Sequence, residues 1–166
     1  MKWYLICAAI GLPLSSAMAT DGQELTSLRG TWVMDSAYEM HADGTRTTNY
    51  GEHPKGLLMV DAAGRYDMQI FKPDRQVFAS GVKTRGTPDE YRVAVVGSST
   101  HFGTVTIDKA KHKLVFTVEA ASFPNWEGKT QERDYTFKDG LLTYAVPASA
   151  SGNGTIAYSV WRRAVD

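Results

Sequence analysis

An arginine and a glutamine share one face of a short segment in the second half of the chain. Residues 129–138, KTQERDYTFK, alternate between two chemically different faces, which is the period of a β-strand. Threonines and charged residues occupy one face, and Gln131, Arg133, Tyr135 and Phe137 occupy the other. We assign the second face to the protein interior. Because a buried charge is costly unless it is paired, Arg133 predicts either a hidden partner or a cavity that holds a polar group.

The acidic residues of the other predicted strands supply no partner for Arg133. No Asp or Glu falls on a face that we assign to the interior. Three interpretations stay open: the guanidinium reaches solvent at a barrel mouth, it bonds main-chain carbonyls and buried water, or it binds an anionic or carbonyl oxygen of a ligand. The planar fork of arginine fits a carboxylate better than the lysine ammonium does.

These residue types lead to a hypothesis about binding. Arg133, with Gln131 and Tyr135, would hold the polar end of a small amphipathic molecule, and aromatic and methionine side chains would surround its apolar part. Methionine is flexible and polarizable, so it suits an adaptable pocket as well as a plain core. The residues predicted to contact the ligand are Gln131, Arg133, Tyr135, Tyr66, Met68, Phe116 and Tyr38.

Other groups of residues that could carry chemistry give weaker signals. The four histidines show no metal-ligand spacing, and without cysteine a zinc site would need histidines and carboxylates from several strands. Ser98, Ser99 and His101 are adjacent in the sequence, but no Gly-x-Ser-x-Gly elbow surrounds a serine. We therefore predict no metal site and no cofactor, and the catalytic residues of any activity stay unknown.

Short alternating segments separated by turn residues predict the strands that position these side chains. This pattern is typical of an antiparallel all-β domain, and Asp139-Gly140 is a strong two-residue hairpin signal. The eight predicted strands are Gly30–Met40, Gly56–Asp61, Arg65–Lys72, Phe102–Asp108, Lys113–Ala121, Lys129–Lys138, Leu141–Val146 and Ile156–Arg163. Eight such strands can close into an up-and-down barrel that holds side chains or one small ligand. An open two-sheet sandwich is the alternative.

One segment between the third and fourth predicted strands departs from this pattern. Thr87, Pro88 and Glu90 supply a capping residue, a proline at the first helical position and the acid of a capping box. They predict a short helix from Pro88 to about Val96, with a strand as the alternative because its valine-rich interior is a weak helix former. With residues 73–86 it forms a long excursion, and such connections are often lids or binding loops.

Alternation also assigns one face of each strand to the interior. Large aromatic and methionine side chains dominate these faces. The assigned residues are Trp32, Met34, Ser36, Tyr38 and Met40 on the first strand, Tyr66, Met68 and Ile70 on the third, Val105 and Ile107 on the fourth, and Leu114, Phe116, Val118 and Ala120 on the fifth.

The N-terminal residues have the three parts of a secretory signal. Lys2 gives a short positive region, an apolar run follows to Leu14, and Ala17-Met18-Ala19 gives the small-x-small pattern that precedes cleavage. Residues 1–19 are therefore expected to be removed, which leaves residues 20–166 as one domain that is secreted or periplasmic. The single cysteine, Cys7, lies within the signal, so the exported chain would hold no disulfide. The net charge is near zero, which argues against nucleic acid and anionic membranes as partners.

Several short motifs, in order and spacing, resemble those of the bacterial and fungal lipocalin-like domain family, a relative of the lipocalins and other calycin barrels. The matching residues are Leu28-Arg29-Gly30-Thr31-Trp32, Tyr50-Gly51, Pro54-Lys55-Gly56, Gly64, Thr87-Pro88, Glu90-Tyr91, Phe102-Gly103-Thr104, Asn125-Trp126, Gly128, Gln131, Arg133, Trp161 and Arg163. The resemblance implies an up-and-down barrel in which Trp32 packs at the closed end beneath Arg163, a structural cation–π contact. Because proteins of one fold can have different functions, the resemblance supports the predicted fold more strongly than any particular ligand.

The sequence therefore predicts an eight-stranded, disulfide-free lipocalin-like barrel that binds a small hydrophobic or amphipathic molecule. A cofactor-free isomerase or cyclase acting on a ligand held in a dry, oriented pocket is one alternative. A structural or interaction protein with a filled barrel is the other. A cavity bounded by Arg133 and Gln131 would favour the first two functions, and a packed interior would favour the third.

Overall fold

The computed structural model describes residues 27–146 and 155–164. The predicted signal in residues 1–19, with Cys7, and the turn Asn153-Gly154 lie outside the described residues. Among the residues described, no helix has both the length and the apolar character needed to cross a bilayer.

Consecutive antiparallel strands form one sheet that closes on itself. The strands are β1 (Gly30–Met40), β2 (Arg46–Thr47), β3 (Lys55–Val60), β4 (Arg65–Phe71), β5 (Ser98–Asp108), β6 (Lys113–Ala121), β7 (Thr130–Lys138), β8 (Leu141–Val146) and β9 (Ile156–Arg163). Each long strand pairs with the next, and β9 pairs with β1 to close the barrel. The closed eight-stranded antiparallel barrel predicted from the sequence is confirmed, with β2 as an added short strand on the edge of β1.

The added strand changes the position of the helix in the strand order. We predicted the helix between the third and fourth strands, but α1 (Pro88–Val96) follows the fourth strand, β4. The discrepancy arises because β2 contains only two residues, both exposed, and pairs with the end of β1. So short a strand shows no alternation, so the sequence gives no signal for it.

The helix begins with the capping box that its sequence indicates. The Thr87 hydroxyl accepts a hydrogen bond from the Glu90 main-chain N–H, and the Glu90 carboxylate accepts one from the Thr87 N–H at 2.7 Å. The same carboxylate accepts a second hydrogen bond from the Ala79 N–H, also at 2.7 Å. Buried Glu90 thus ties the start of the helix to the excursion before it, which also contains a one-turn 3₁₀ helix at Lys83–Arg85.

At the closed end of the barrel, the start of β1 lies beside the end of β9. The guanidinium carbon of Arg163 lies 4.4 Å from the Trp32 ring centroid. Its nitrogens donate to the main-chain carbonyls of Arg29, at 2.7 Å, and of Ser27. The Trp32 indole donates to the Leu28 carbonyl at 2.8 Å. Both polar side chains are therefore satisfied by the chain that crosses this end.

Two β-bulges reverse the alternation of side chains towards the opposite end, the mouth. In β1 one extra residue, Asp35, separates Met34, which pairs with Trp161, from Ser36, which pairs with Val160. In β6, Val118 and Ala120 pair with the consecutive residues Gly103 and Phe102 of β5, so Glu119 is the extra residue. A bulge places two residues opposite one and shifts every later side chain to the other face.

The bulges correct four inner-face assignments. Ser36, Tyr38 and Met40 leave the inner face of β1, and Ala37 and Glu39 replace them. Ala120 leaves the inner face of β6, since it pairs with the half-exposed Phe102. The expectation that no acidic residue faces the interior is therefore wrong, because Glu39 reaches the cavity at the mouth.

Candidate functional site

A cavity of about 210 Å³ lies inside the mouth of the barrel. Strands β1, β4, β5, β7, β8 and β9 contribute to its wall, and the loops before β3 and β7 contribute Asn49, Tyr50 and Trp126. Its lining is mostly apolar with a few polar groups, which is the usual composition of a small-molecule site. The lining residues are Ala37, Tyr38, Glu39, Asn49, Tyr50, Met68, Ile70, Ser99, His101, Trp126, Gln131, Arg133, Val146, Ala157, Tyr158 and Ser159.

Arg133 is the charged group at the base of this cavity and is only 3% exposed. Its Nη2 donates to the Gln131 side-chain oxygen at 2.5 Å. Its guanidinium carbon lies 4.5 Å from the Phe116 ring centroid and 4.9 Å from that of Tyr144. Its buried Nε–H has no acceptor within the described part of the chain, and no carboxylate there lies within ion-pair distance of it. The aromatic faces of Phe116 and Tyr144, the Gln131 amide and the Tyr144 hydroxyl therefore stabilise the charge.

His101 on β5 lines the same cavity and also has a buried nitrogen without a partner among the residues described. The side chain is 3% exposed, and its Nδ1 lies 2.6 Å from the Tyr66 hydroxyl. Nε2 is buried and has no partner among the residues described. Burial, with the nearby Arg133 charge, lowers the pKa of His101 to about 3, so the imidazole is neutral at physiological pH.

The tyrosines around Arg133 also stay uncharged. Burial raises the pKa of Tyr66 and of Tyr144, although the Arg133 charge opposes both shifts. The Tyr144 hydroxyl donates to the Met68 sulfur at 2.8 Å. Nearer the mouth, burial raises the pKa of Tyr50, and a hydrogen bond with Ser99 opposes that shift. The inner part of the cavity therefore carries one positive charge and otherwise neutral groups.

Glu39 is the acidic residue at the mouth, and it has partners of its own. Its Oε2 accepts a hydrogen bond from the Thr155 hydroxyl at 2.9 Å. Thr155 directly precedes β9, so this contact joins the ends of β1 and β9 at the rim. Glu39 therefore contributes an acidic side chain to the entrance of the cavity rather than to its base.

Four of the seven predicted ligand contacts line the cavity: Gln131, Arg133, Met68 and Tyr38. The bulge at Asp35 turns Tyr38 off the inner face, and its ring stacks on that of Tyr158 at 5.0 Å and lies under Arg46. Tyr38 therefore contacts the cavity only at its edge.

The other three predicted contacts, Tyr66, Phe116 and Tyr135, do not line the cavity. Tyr66 orients His101, and Phe116 lies under the guanidinium of Arg133. Tyr135 lies further towards the closed end, where its ring stacks on His112 at 4.5 Å.

Sequence reasoning missed several lining residues, above all His101. The predicted fourth strand began at Phe102, whereas β5 begins at Ser98. Extending the alternation backwards from Val105 places His101 and Ser99 on the inner face, so the signal was present in the sequence. The long excursion was a candidate lid, yet none of its residues lines the cavity. In the described ranges, no three His, Cys, Asp or Glu side chains cluster in a way that could hold a metal ion.

A closed antiparallel barrel with a cavity at one end defines a calycin-type protein. The sequence model of the lipocalin-like domain family matches residues 29–164, and the chain belongs to that family. Among curated proteins it is similar to the 4'-hydroxy-3'-methoxypropiophenone carrier protein ppsC of Aspergillus oryzae. The two are 26% identical over 103 residues, which cover 57% of this chain and 93% of the relative.

A solved structure with a similar chain path is that of a mutant of the fluorescent protein UnaG. Its TM-score is 0.39 at 16% identity, and the match covers 86% of this chain and 99% of that chain.

Proposed function

We propose that this protein is a carrier that holds a small amphipathic molecule in the barrel cavity. The observation that carries the proposal is the cavity of about 210 Å³ bounded by Gln131 and by the buried, incompletely hydrogen-bonded Arg133. Sites for drug-sized ligands have volumes of about 300–1,000 Å³. This cavity is smaller than that range, so it suits a smaller molecule, such as a compound with a single ring.

The two ends of the ligand would meet different surfaces. Arg133 and Gln131 receive an oxygen, and the apolar body packs against Met68, Ile70 and Trp126. A buried donor without an acceptor is destabilising, by about 1–3 kcal/mol. A ligand oxygen removes that cost, so part of the binding free energy comes from satisfying the protein itself.

The name of the curated relative supports carriage rather than another use of the fold. That protein carries an aryl ketone that also bears a hydroxyl and a methoxy group. A molecule of this kind is small, mostly apolar and rich in oxygen acceptors, and these properties suit an apolar cavity that contains Arg133 and Gln131. We therefore propose oxygenated single-ring compounds as the first ligands to test.

The test uses Trp126, which lines the cavity, as an internal reporter. Addition of 4'-hydroxy-3'-methoxypropiophenone is expected to quench its fluorescence with saturation, and Trp126→Phe should remove that signal while calorimetry still detects binding. Arg133→Met should weaken binding by about tenfold or more, since a charged hydrogen bond contributes about 1.5–3 kcal/mol. Arg92→Met is the matched control, because Arg92 is an exposed arginine on α1. Equal affinity in both variants would remove Arg133 from the site.

The same samples separate carriage from the alternative of an isomerase or cyclase. Native mass spectrometry of the complex, followed by extraction of the ligand, should return the compound chemically unchanged. Conversion at a rate that depends on Arg133 would instead identify an enzyme and overturn the carrier proposal.

We also propose that the carrier is exported, with cleavage after Ala19. The proposed cleavage leaves the family match at residues 29–164 intact. Expression of the full chain followed by intact-mass measurement of the secreted or periplasmic protein tests this proposal. A protein that retains residues 1–19 in the cytoplasm would contradict it.

A further inference from the structure

The tautomer of His101 follows from the hydrogen bond that fixes its ring. The Tyr66 hydroxyl and His101 Nδ1 are 2.6 Å apart, and one of the two must donate. Within residues 27–146 and 155–164, the Tyr66 hydroxyl has no other acceptor. If Nδ1 carried the proton, the buried hydroxyl hydrogen would be left without a partner, which is unfavourable. Tyr66 therefore donates to Nδ1, and the imidazole proton sits on Nε2, the buried nitrogen that has no partner among the described residues.

The cavity thus contains two buried N–H donors that the described residues leave unused. One is Arg133 Nε–H on β7 and the other is His101 Nε2–H on β5. Both side chains are more than nine-tenths buried and both line the same cavity. They also lie near one another, because each packs against the Phe116 ring, Arg133 at 4.5 Å and His101 at 6.2 Å.

The charge of this region is positive and uncompensated. The titratable or charged groups that face Arg133 are His101 on β5, Tyr66 on β4 and Tyr144 on β8, and all three are neutral. Glu39 on β1 and Tyr50 lie at the mouth, where Glu39 is held by Thr155. In such a site a negatively charged oxygen gains more than a neutral one, because charge-assisted hydrogen bonds are roughly twice as strong as neutral ones.

We propose that the cavity binds its ligand as an anion, the ionised form of a weak acid, whose charged oxygen accepts hydrogen bonds from Arg133 Nε–H and His101 Nε2–H. This inference rests on the proposed carrier function and specifies its ligand class. Phenolates, enolates and carboxylates share the required chemistry. His101 is then a specificity-determining residue, and Tyr66 is a positioning residue that holds its donor towards the ligand.

The experiment uses 4-nitrophenol, whose own absorption reports its ionisation, and 4-nitroanisole as its neutral isostere. We titrate the protein-bound probe against pH and compare it with the free probe. The phenolate should bind about tenfold more tightly than the phenol, so the pKa of bound 4-nitrophenol should fall by about one pH unit. A parallel pair, 4-nitrobenzoate and its methyl ester, distinguishes a carboxylate ligand from a phenolate ligand by which anion gains more over its neutral partner.

The variants assign the effect to individual donors. Arg133→Met should return the pKa of the bound probe to at least its free value, and Arg92→Met on the exposed face of α1 should leave the shift intact. His101→Gln and Tyr66→Phe should each reduce the affinity ratio of nitrophenolate to nitroanisole several-fold, because a charged oxygen gains more from the donor than an ether oxygen does. A purely structural role for Tyr66 would lower both affinities together and would contradict its assignment as a positioning residue.

The outcomes separate the anion inference from the carrier proposal. If the wild-type protein binds 4-nitroanisole or the ester as tightly as the matching anion, the anion inference is overturned and carriage stands. If neither pair nor the aryl ketone binds, both are overturned. Because the wild-type titration alone decides the central point, a variant that fails to fold does not remove the test.

Discussion

Replacement of Arg133 by methionine should separate binding from folding. The substitution keeps the length of an unbranched side chain and removes a buried charge that no acidic residue of the described chain neutralises. We expect a folded protein of equal or higher stability that has lost most of its affinity for the ligand. Few single substitutions in a core are predicted to act in opposite directions on these two quantities.

The expected size follows from the contacts of the guanidinium. Burial of an ion costs several kcal/mol even after relaxation. The gains are two cation–π contacts of about 2 kcal/mol each when desolvated, and one charged hydrogen bond to Gln131 of about 1.5–3 kcal/mol. These terms nearly cancel. A buried methionine adds about 1.5–3 kcal/mol of apolar transfer, and the half-buried amide of Gln131 can turn to water. We therefore expect the free energy of unfolding to rise by about 0–2 kcal/mol.

Urea unfolding without ligand, followed by fluorescence and circular dichroism, measures this change. The same preparations supply the binding isotherms. A loss of more than about 3 kcal/mol would refute the reasoning, because losses of that size mark the breaking of a buried ion pair. It would mean that Arg133 has an acidic partner in the folded protein and is architectural. The double variant Arg133→Met, Gln131→Leu then reports whether the amide is responsible for any intermediate loss.

Three further predictions concern stability. Gly103→Ala should lower the free energy of unfolding in urea by about 2–4 kcal/mol, because its Cβ would lie 2.0 Å from a carbonyl oxygen of β6. In the control Gly128→Ala, the new Cβ meets no atom within 4 Å, and the loss should be only about 1 kcal/mol for the positive φ. Equal losses in the two variants would contradict the bulge geometry. Arg163→Met should cost about 2–3 kcal/mol by removing the contact with Trp32 and two hydrogen bonds to main-chain carbonyls, so an unchanged unfolding midpoint would show that this end does not depend on them. Folding lowers the pKa of His101 from 6.5 to about 3, so between these two pH values the imidazole is protonated in the unfolded chain and neutral in the folded protein. The free energy of unfolding should therefore drop by up to about 1.4 kcal/mol per pH unit as the pH falls from 6.5 to about 3. His101→Gln should flatten that slope relative to wild type, and identical slopes would show that the imidazole is protonated in the folded protein.

The barrel was predictable because local patterns fix most of its parts. Alternation and turn residues gave β1, β6, β8 and β9 with the bounds that the structure has. The capping box gave α1. Each of these signals lies within a few residues of chain, so no knowledge of the partner strand is needed to recognise it.

The candidate site was predictable only in part because bulges depend on the neighbouring strand. Asp35 is an extra residue only with respect to β9, and nothing in its own segment marks it. Alternation counted through the bulge turned Glu39 outward and hid the acidic residue at the mouth. Arg133 and Gln131 were found because β7 keeps its alternation throughout and its pairing with β6 shows no register shift. His101 was lost for a different reason, an error in the start of β5.

Arg163 and Arg133, two of the arginines that lie over aromatic rings, differ in their other contacts, and the difference indicates which of them is architectural. Arg163 and Arg133 approach a ring at 4.4 and 4.5 Å, so their cation–π contacts are comparable. Arg163 is exposed to water and also donates to two main-chain carbonyls, which hold the N-terminal segment across the closed end. Arg133 is buried, donates to one side-chain amide and keeps a buried N–H without an acceptor among the described residues. A residue selected only for packing would not need a charge there, since an apolar side chain fills the same space at no desolvation cost. The unused donor belongs to a side chain that lines the cavity, and this contrast is the strongest reason to assign Arg133 to a ligand.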